Sequence, residues 1–221
     1  FPIAGSEEQR IHISEVDYVI EGDNPPLMPL PRVQPTPITE AIARHIVGEL
    51  FDGACLQIGF GDIPDAVAEL IIHSDLKDLG IHTELMGDGI MNLYKAGKIT
   101  GAKKQLQPGK ITAGIAFGSQ DFYTFMRECP DLYMTVSSYT NNPTVIAQND
   151  HVVGINAFLD ISLAGDVNAE SVGGQTFSGT GGHLDFAIGA QGSKNGKSIL
   201  CGPSTYVQKD GTRVSRIVAA L

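Results

Sequence analysis

Four segments of the sequence carry residue types and spacings suited to chemistry at the places where strands end in loops. The first is His82-Thr83-Glu84-Leu85-Met86-Gly87-Asp88-Gly89, where Glu84 sits in an apolar run that ends in a glycine loop. A carboxylate held at a sheet edge beside amide donors is a nucleophile for acyl transfer, provided its oxyanion is stabilised. The ordinary alternative is a solvent-facing strand position, or a partner for a nearby cation. The second is Gly59-Phe60-Gly61-Asp62. Its glycines let a ligand approach the backbone, and free amides at a helix start favour negative charge, although a G-x-G also simply turns a strand into a helix. The third is Ser178-Gly179-Thr180-Gly181-Gly182-His183-Leu184-Asp185-Phe186, preceded by Gly173-Gly174-Gln175. So much glycine forms either an anion-binding nest or a plain hairpin connection. In the fourth, Ser137-Ser138-Tyr139-Thr140-Asn141-Asn142-Pro143, Asn141 stands at a polar strand end before a helix, as a cap or as a ligand for a substrate carboxylate.

Other chemistries fit less well. Pro64 replaces the third glycine of a dinucleotide fingerprint in GFGDIP, and Glu84, in another motif, is the one acidic residue near the end of the next strand. His12, His45, His73, His82, His151 and His183 show no HxxxH spacing, and Cys55, Cys129 and Cys201 are odd in number and far apart. That is neither a zinc pattern nor a disulfide framework, and it suits a reducing cytoplasm. There is no G-x-S-x-G elbow, and Ser178 has no plausible base beside it. Cys55 is expected to pack in a strand. Lys103 and Lys104 form a basic spot that either meets ligand phosphates or lines a solvated turn.

The elements that must position these loops follow from hydrophobic periodicity. Thr36 is an N-cap with Pro37 at the first helical position, and Ile38, Ala41, Ile42, Ile46 and Leu50 recur at helical spacing up to Asp52-Gly53. Strands are expected near Ala54–Ile58, Ile81–Met86, Ile111–Phe117 and Leu132–Val136. Helices are expected near Ile63–Ile72, Ile90–Ala96, Asp121–Cys129 and after Pro143. This βαβ rhythm requires a mostly parallel sheet, whose ligand sites lie outside the carboxyl ends of the strands. Beyond His151, VVGINAFLDIS and KSILCGPSTYV read as antiparallel or mixed strands at one end. Before the first helix, Arg10–Glu21 alternates like a strand, and Pro25, Pro26, Pro29, Pro31, Pro35 and Pro37 mark a semi-rigid linker near residues 22–36.

With 221 residues, 42% hydrophobic and 18% charged, the chain can bury a core and is not of disordered composition. A net charge of −10 opposes non-specific binding to nucleic-acid phosphates or anionic lipid. No apolar run approaches the roughly 18–20 residues needed to cross a bilayer, and Phe1–Arg10 lacks a basic n-region before an apolar stretch.

Taken together and in this order, GFGDIPDAV, HTELMGDG, YTNNP, GDVNAE and SGTGGHLDF resemble the acetyl-CoA hydrolase/transferase family, near its 4-hydroxybutyrate and butyrate:acetate CoA-transferases. The likeness spans Ile38–Leu221. It implies the open, mostly parallel α/β sheet of class I CoA-transferases, flanked by helices. It also implies that residues 1–21 end a preceding domain of similar architecture, that 22–36 link the two, and that 37–221 form a catalytic domain continuing past Leu221. Carried over by residue, the family's catalytic glutamate falls on Glu84, and its two oxyanion donors fall on the backbone amides of Phe60 and Gly182. Gly59, Gly61, Asn141, Gly181 and His183 fall on the substrate and CoA side, His183 standing where many relatives have Gln or Ser. The implied reaction is ping-pong transfer of CoA between an acyl-CoA and a small carboxylate such as acetate, with coenzyme A as substrate and neither ATP nor metal. Hydrolysis of acyl-CoA is the alternative within enzymes, and a non-catalytic CoA-binding module is the alternative outside them. The resemblance further implies a homo-oligomer, with the preceding domain as a partner in the same polypeptide.

Overall fold

The computed structural model describes residues 7–23, 25–30, 34–59 and 61–221. Thr36 begins the first helix, α1 (Pro37–Gly48), through a reciprocal capping box: the Thr39 N–H donates to the Thr36 hydroxyl at 3.2 Å, and the Thr36 N–H to the Thr39 hydroxyl at 2.7 Å. Then come β1 (Cys55–Ile58), α2 (Asp62–Ile72), β2 (Gly80–Met86), α3 (Asp88–Lys95), β3 (Ile111–Ala116), α4 (Gln120–Glu128) and β4 (Leu132–Met134). Two single-turn helices, α5 (Ser137–Thr140) and α6 (Pro143–Ile146), precede β5 (Val152–Ala157). The chain continues through β6 (Asp160–Ser162), β7 (Val167–Asn168), β8 (Ser171–Val172), β9 (Gln175–Thr176), α7 (His183–Gly192) and β10 (Lys197–Cys201). It ends in β11 (Thr205–Val207), β12 (Arg213–Ser215) and β13 (Ile217–Val218).

The central sheet has the strand order β10-β5-β1-β2-β3-β4, and every pairing in it is parallel. Its two faces differ because strand side chains alternate. Leu56, Ile58, Ile81, Ile111, Ala113, Val153 and Ile155 form the main core with α1 to α4. Each large side chain wholly removed from water there contributes about 1.5–3 kcal/mol. The opposite face carries Cys55, His82, Glu84 and Thr112 together with Gly114 and Gly154, and is covered by α5, α6 and α7. Its smaller cluster joins Cys55 and Val152 to Ile146, Phe186 and Ala190. Gly189 allows this cover to close, since a Cβ there would lie 2.6 Å from Ile146 Cβ.

Two expectations are corrected. Arg10–Glu21 is not a strand: Ile13–Glu15 forms a 3-10 turn, and Tyr18 and Ile20 are 89% and 94% exposed. Alternation makes a strand only where a sheet edge offers hydrogen bonds, and none of the described strands pairs with this segment. The other is corrected only at its start: VVGINAFLDIS and KSILCGPSTYV begin as β5 and β10, parallel members of the main sheet, and then enter the expected mixed and antiparallel strands, β6 pairing parallel with β13 and antiparallel with β7, and β11 antiparallel with β12. Near-continuous apolar runs such as Val152-Val153 suit a strand buried on both faces, so parallel pairing is the physical outcome. Of the linker, Asn24 and residues 31–33 lie outside the described residues; Leu30 N–H donates to Gly118 O at 3.1 Å. No helix among the described residues is long and apolar enough to cross a membrane.

Candidate active site

Strand β2 determines where Glu84 points. His82 and Glu84, two residues apart, project to the face covered by α5 to α7, and β2 stops at Gly87, where α3 begins. The turn is tied down by Asp88, whose carboxylate accepts the Ser119 N–H at 2.8 Å and the Ser119 hydroxyl at 2.5 Å. These contacts hold the loop after β3 beside the end of β2.

The Glu84 carboxylate is half-buried, and each oxygen accepts one hydrogen bond of 2.9 Å. Asn141 Nδ2, just beyond α5, donates to Oε1, and the backbone N–H of Gly182, the N-cap of α7, donates to Oε2. The positive end of α7 thus faces the carboxylate. Gly182 has φ −92° and ψ 5°, which any residue can adopt, so its lack of a side chain has a steric cause. A Cβ would lie 2.6 Å from both Asn141 Nδ2 and Glu84 Oε2.

The structure therefore brings Glu84, Asn141 and Gly182 into one hydrogen-bonded cluster. Gly59 and Gly61 follow β1, the strand beside β2, and Gly61 begins α2 at φ +122°, where glycine is needed. Gly181 and His183 flank Gly182; His183 opens α7, and burial lowers its imidazole pKa while Glu170 partly opposes that shift. Phe60, the expected partner donor, lies outside the described residues. The basic spot is divided. Lys103 is exposed, whereas Lys104 folds inward, donating to Lys110 O and Thr112 Oγ1, both at 2.8 Å. Its burial pulls the ammonium down to about 8, and it is neither a phosphate ligand nor part of a solvated turn. Cys55 packs in its strand as expected, with burial pushing its thiol up to about 11.

Reading the motifs one by one missed His82 and Thr140. His82 is wholly buried, its Nε2 3.0 Å from Thr140 O, and burial brings its pKa down to about 4. The i, i+2 spacing of His82 and Glu84 was the available signal. Among the described residues, no group of three or more His, Cys, Asp or Glu side chains is placed to hold a metal ion.

Comparison with known proteins bears on this geometry. Residues 118–221 match the acetyl-CoA hydrolase/transferase C-terminal domain. The chain is 46% identical over 213 residues to a Syntrophomonas wolfei protein named "Probable butyrate:acetyl-CoA coenzyme A-transferase", covering 96% of this chain and 47% of that one. It is 41% identical over 211 residues to the 4-hydroxybutyrate coenzyme A transferase of Clostridium kluyveri, covering 96% and 48%. An acetyl-CoA hydrolase of Neurospora crassa is more distant, at 29% over 170 residues, covering 74% and 30%. The crystal structure of a 4-hydroxybutyrate CoA-transferase from Porphyromonas gingivalis superposes with a TM-score of 0.78 at 38% identity, covering 96% of this chain and 49% of that one. The chain spans about half the length of the curated relatives it matches. Residues 118–221 thus match the C-terminal domain of the acetyl-CoA hydrolase/transferase family, and the likeness to named CoA-transferases, in sequence and in architecture, extends over 96% of the chain.

Proposed function

We propose that this chain carries the nucleophile of an acyl-CoA:carboxylate CoA-transferase, and that the nucleophile is Glu84. The observation that carries the reading is the carboxylate at the end of β2 with one donor on each oxygen, Asn141 Nδ2 and Gly182 N–H, both at 2.9 Å. In the proposed sequence, a Glu84 oxygen adds to the thioester carbonyl carbon of the acyl-CoA. The C–S bond breaks, the CoA thiolate leaves, and an acyl-glutamyl anhydride remains. The thiolate then adds to the glutamyl carbonyl, and the anhydride C–O bond breaks. Free carboxylate departs and a glutamyl-CoA thioester is left. An incoming carboxylate runs the same steps in reverse and regenerates Glu84. One acyl linkage is broken for each one made, so the protein has only to stabilise charge and exclude water.

We assign the two oxyanions to different donors. Asn141 and Gly182 bind Glu84's own oxygens, which supports assigning to them the oxyanion that develops when the glutamyl carbonyl is attacked. Phe60 N–H is proposed for the oxyanion on the substrate carbonyl. Gly59, Gly61, Gly181 and His183 are proposed to border the bound acyl-CoA, which accounts for backbone left bare on both sides of Glu84. We further propose a preceding domain of the same polypeptide as the opposite wall of the site, in a cytoplasmic homo-oligomer. Hydrolysis is the second reading, favoured by the hydrolase relative, which is more distant than the transferases.

The test is to incubate the intact polypeptide with butyryl-CoA and look for a mass increase on the peptide containing Glu84, sensitive to hydroxylamine. The adduct is expected in the wild type and absent in Glu84→Ala. Turnover with an unmodified Glu84 refutes the mechanism. CoA release without acyl transfer to labelled acetate selects the hydrolase.

A further inference from the structure

Beyond the residues that touch Glu84, we infer that Thr140 is a positioning residue whose hydroxyl, anchored through its carbonyl by His82, keeps the NH2 side of the Asn141 amide turned toward Glu84. The inference rests on the reading of Glu84 as nucleophile. An asparagine amide can turn over by exchanging its oxygen and nitrogen, so which end faces a neighbour is decided by its hydrogen bonds.

At Asn141 those bonds come from two sides. Thr140 Oγ1 donates to Asn141 Oδ1 at 2.9 Å, which leaves Nδ2 to donate to Glu84 Oε1 at 2.9 Å. Thr140 is wholly buried, and its hydroxyl fits because position 114 is glycine: a Cβ there would lie 2.8 Å from Thr140 Oγ1. Its carbonyl is pinned from below by His82 Nε2 at 3.0 Å. That direction is itself determined by backbone. Asn149 Oδ1 accepts the N–H groups of Gln105 and Leu106 at 3.1 Å and 3.0 Å, so Asn149 Nδ2 points at His82 Nδ1, 3.5 Å away. With Nδ1 facing a donor, the ring proton belongs on Nε2, where it donates to Thr140 O. Fixed peptide groups thus orient Asn149, then His82, then Thr140, and finally the amide beside Glu84.

The chemistry explains why the hydroxyl matters. While Glu84 is ionised, its own charge holds the NH2 group toward it. Once it is a glutamyl anhydride or thioester that charge is gone, and the Thr140 hydroxyl is what keeps the donor in place for the second half of the cycle. Losing it slows resolution of the glutamyl-CoA thioester without weakening capture of acyl-CoA.

The test compares Thr140→Val, which keeps shape and removes the hydroxyl, with Thr140→Ser, which keeps the hydroxyl, in the intact polypeptide with butyryl-CoA and labelled acetate. For Thr140→Val, kcat is expected to fall about 10- to 100-fold, as for a modest misplacement of a catalytic group, with KM for butyryl-CoA falling in proportion, so that kcat/KM for butyryl-CoA stays within about twofold of wild type. The glutamyl-CoA adduct should accumulate at steady state, and Thr140→Ser should restore kcat to within about threefold of wild type. Equal losses in both variants, or a wild-type rate in Thr140→Val, overturn the inference. If Thr140→Val does not fold, Thr140→Ala against Thr140→Ser makes the same contrast. Glu84→Ala, run alongside, separates the two claims. Transfer retained in Glu84→Ala removes the nucleophile reading itself, whereas transfer lost there with Thr140→Val unaffected removes only the role of Thr140.

Discussion

Adding one methyl group at Gly182 is the sharpest perturbation of the site. The backbone there has φ −92° and ψ 5°, so alanine meets no conformational penalty, and Gly182 makes no side-chain cap that could be lost. The new Cβ would lie 2.6 Å from Glu84 Oε2, 2.6 Å from Asn141 Nδ2 and 3.0 Å from Glu84 Cδ. Relief to ordinary contact requires the carboxylate and the amide to withdraw by about 1 Å. Bonds that are now 2.9 Å would then stretch beyond the range in which they count as hydrogen bonds. Removing one oxyanion donor typically costs about 10²–10³ in rate, or about 3–4 kcal/mol. Because the methyl group disturbs both donors at once, Gly182→Ala is expected to lower kcat for butyryl-CoA to acetate transfer by at least about 100-fold. Stability should change little, by about 1 kcal/mol, since alanine is only a poorer N-cap. The assay is steady-state transfer by the intact polypeptide, with thermal melting as the control. Turnover within about threefold of wild type, at an unchanged melting temperature, refutes the claim that these contacts serve the chemistry.

Two further outcomes follow from the same face of the sheet. His82 has a folded pKa of about 4 against 6.5 for the free side chain, because burial disfavours the charged ring. The unfolded chain therefore binds a proton that the folded chain refuses between those values, and stability falls as pH drops through this window, by about 2 kcal/mol near pH 5. Urea titrations should show this loss in the wild type and a smaller one in His82→Gln. Gly189→Ala would place a Cβ 2.6 Å from Ile146 Cβ and force α6 and α7 apart. A loss of about 1–3 kcal/mol is expected in urea unfolding, and an unchanged midpoint would show that this contact relaxes freely.

Much of the architecture can be read locally. Thr36-Pro37 announced α1, and the apolar runs at Cys55–Ile58, Gly80–Met86 and Ile111–Ala116 gave the parallel strands, because capping and burial periodicity depend on near neighbours in the chain. The three residues that meet at the carboxylate had each been singled out by its own motif. What no local pattern contains is their meeting: Glu84 and Gly182 are 98 positions apart, and only the packing of α7 over β2 brings the amide to the carboxylate. Alternation alone was equally insufficient at Arg10–Glu21, where a strand needs a partner edge that the described fold does not offer. The burial of Lys104 and the relay from Asn149 through His82 and Thr140 were likewise decided by tertiary structure. A residue's type states which hydrogen bonds it can make, but which of them it makes depends on what the fold places within 3 Å of it.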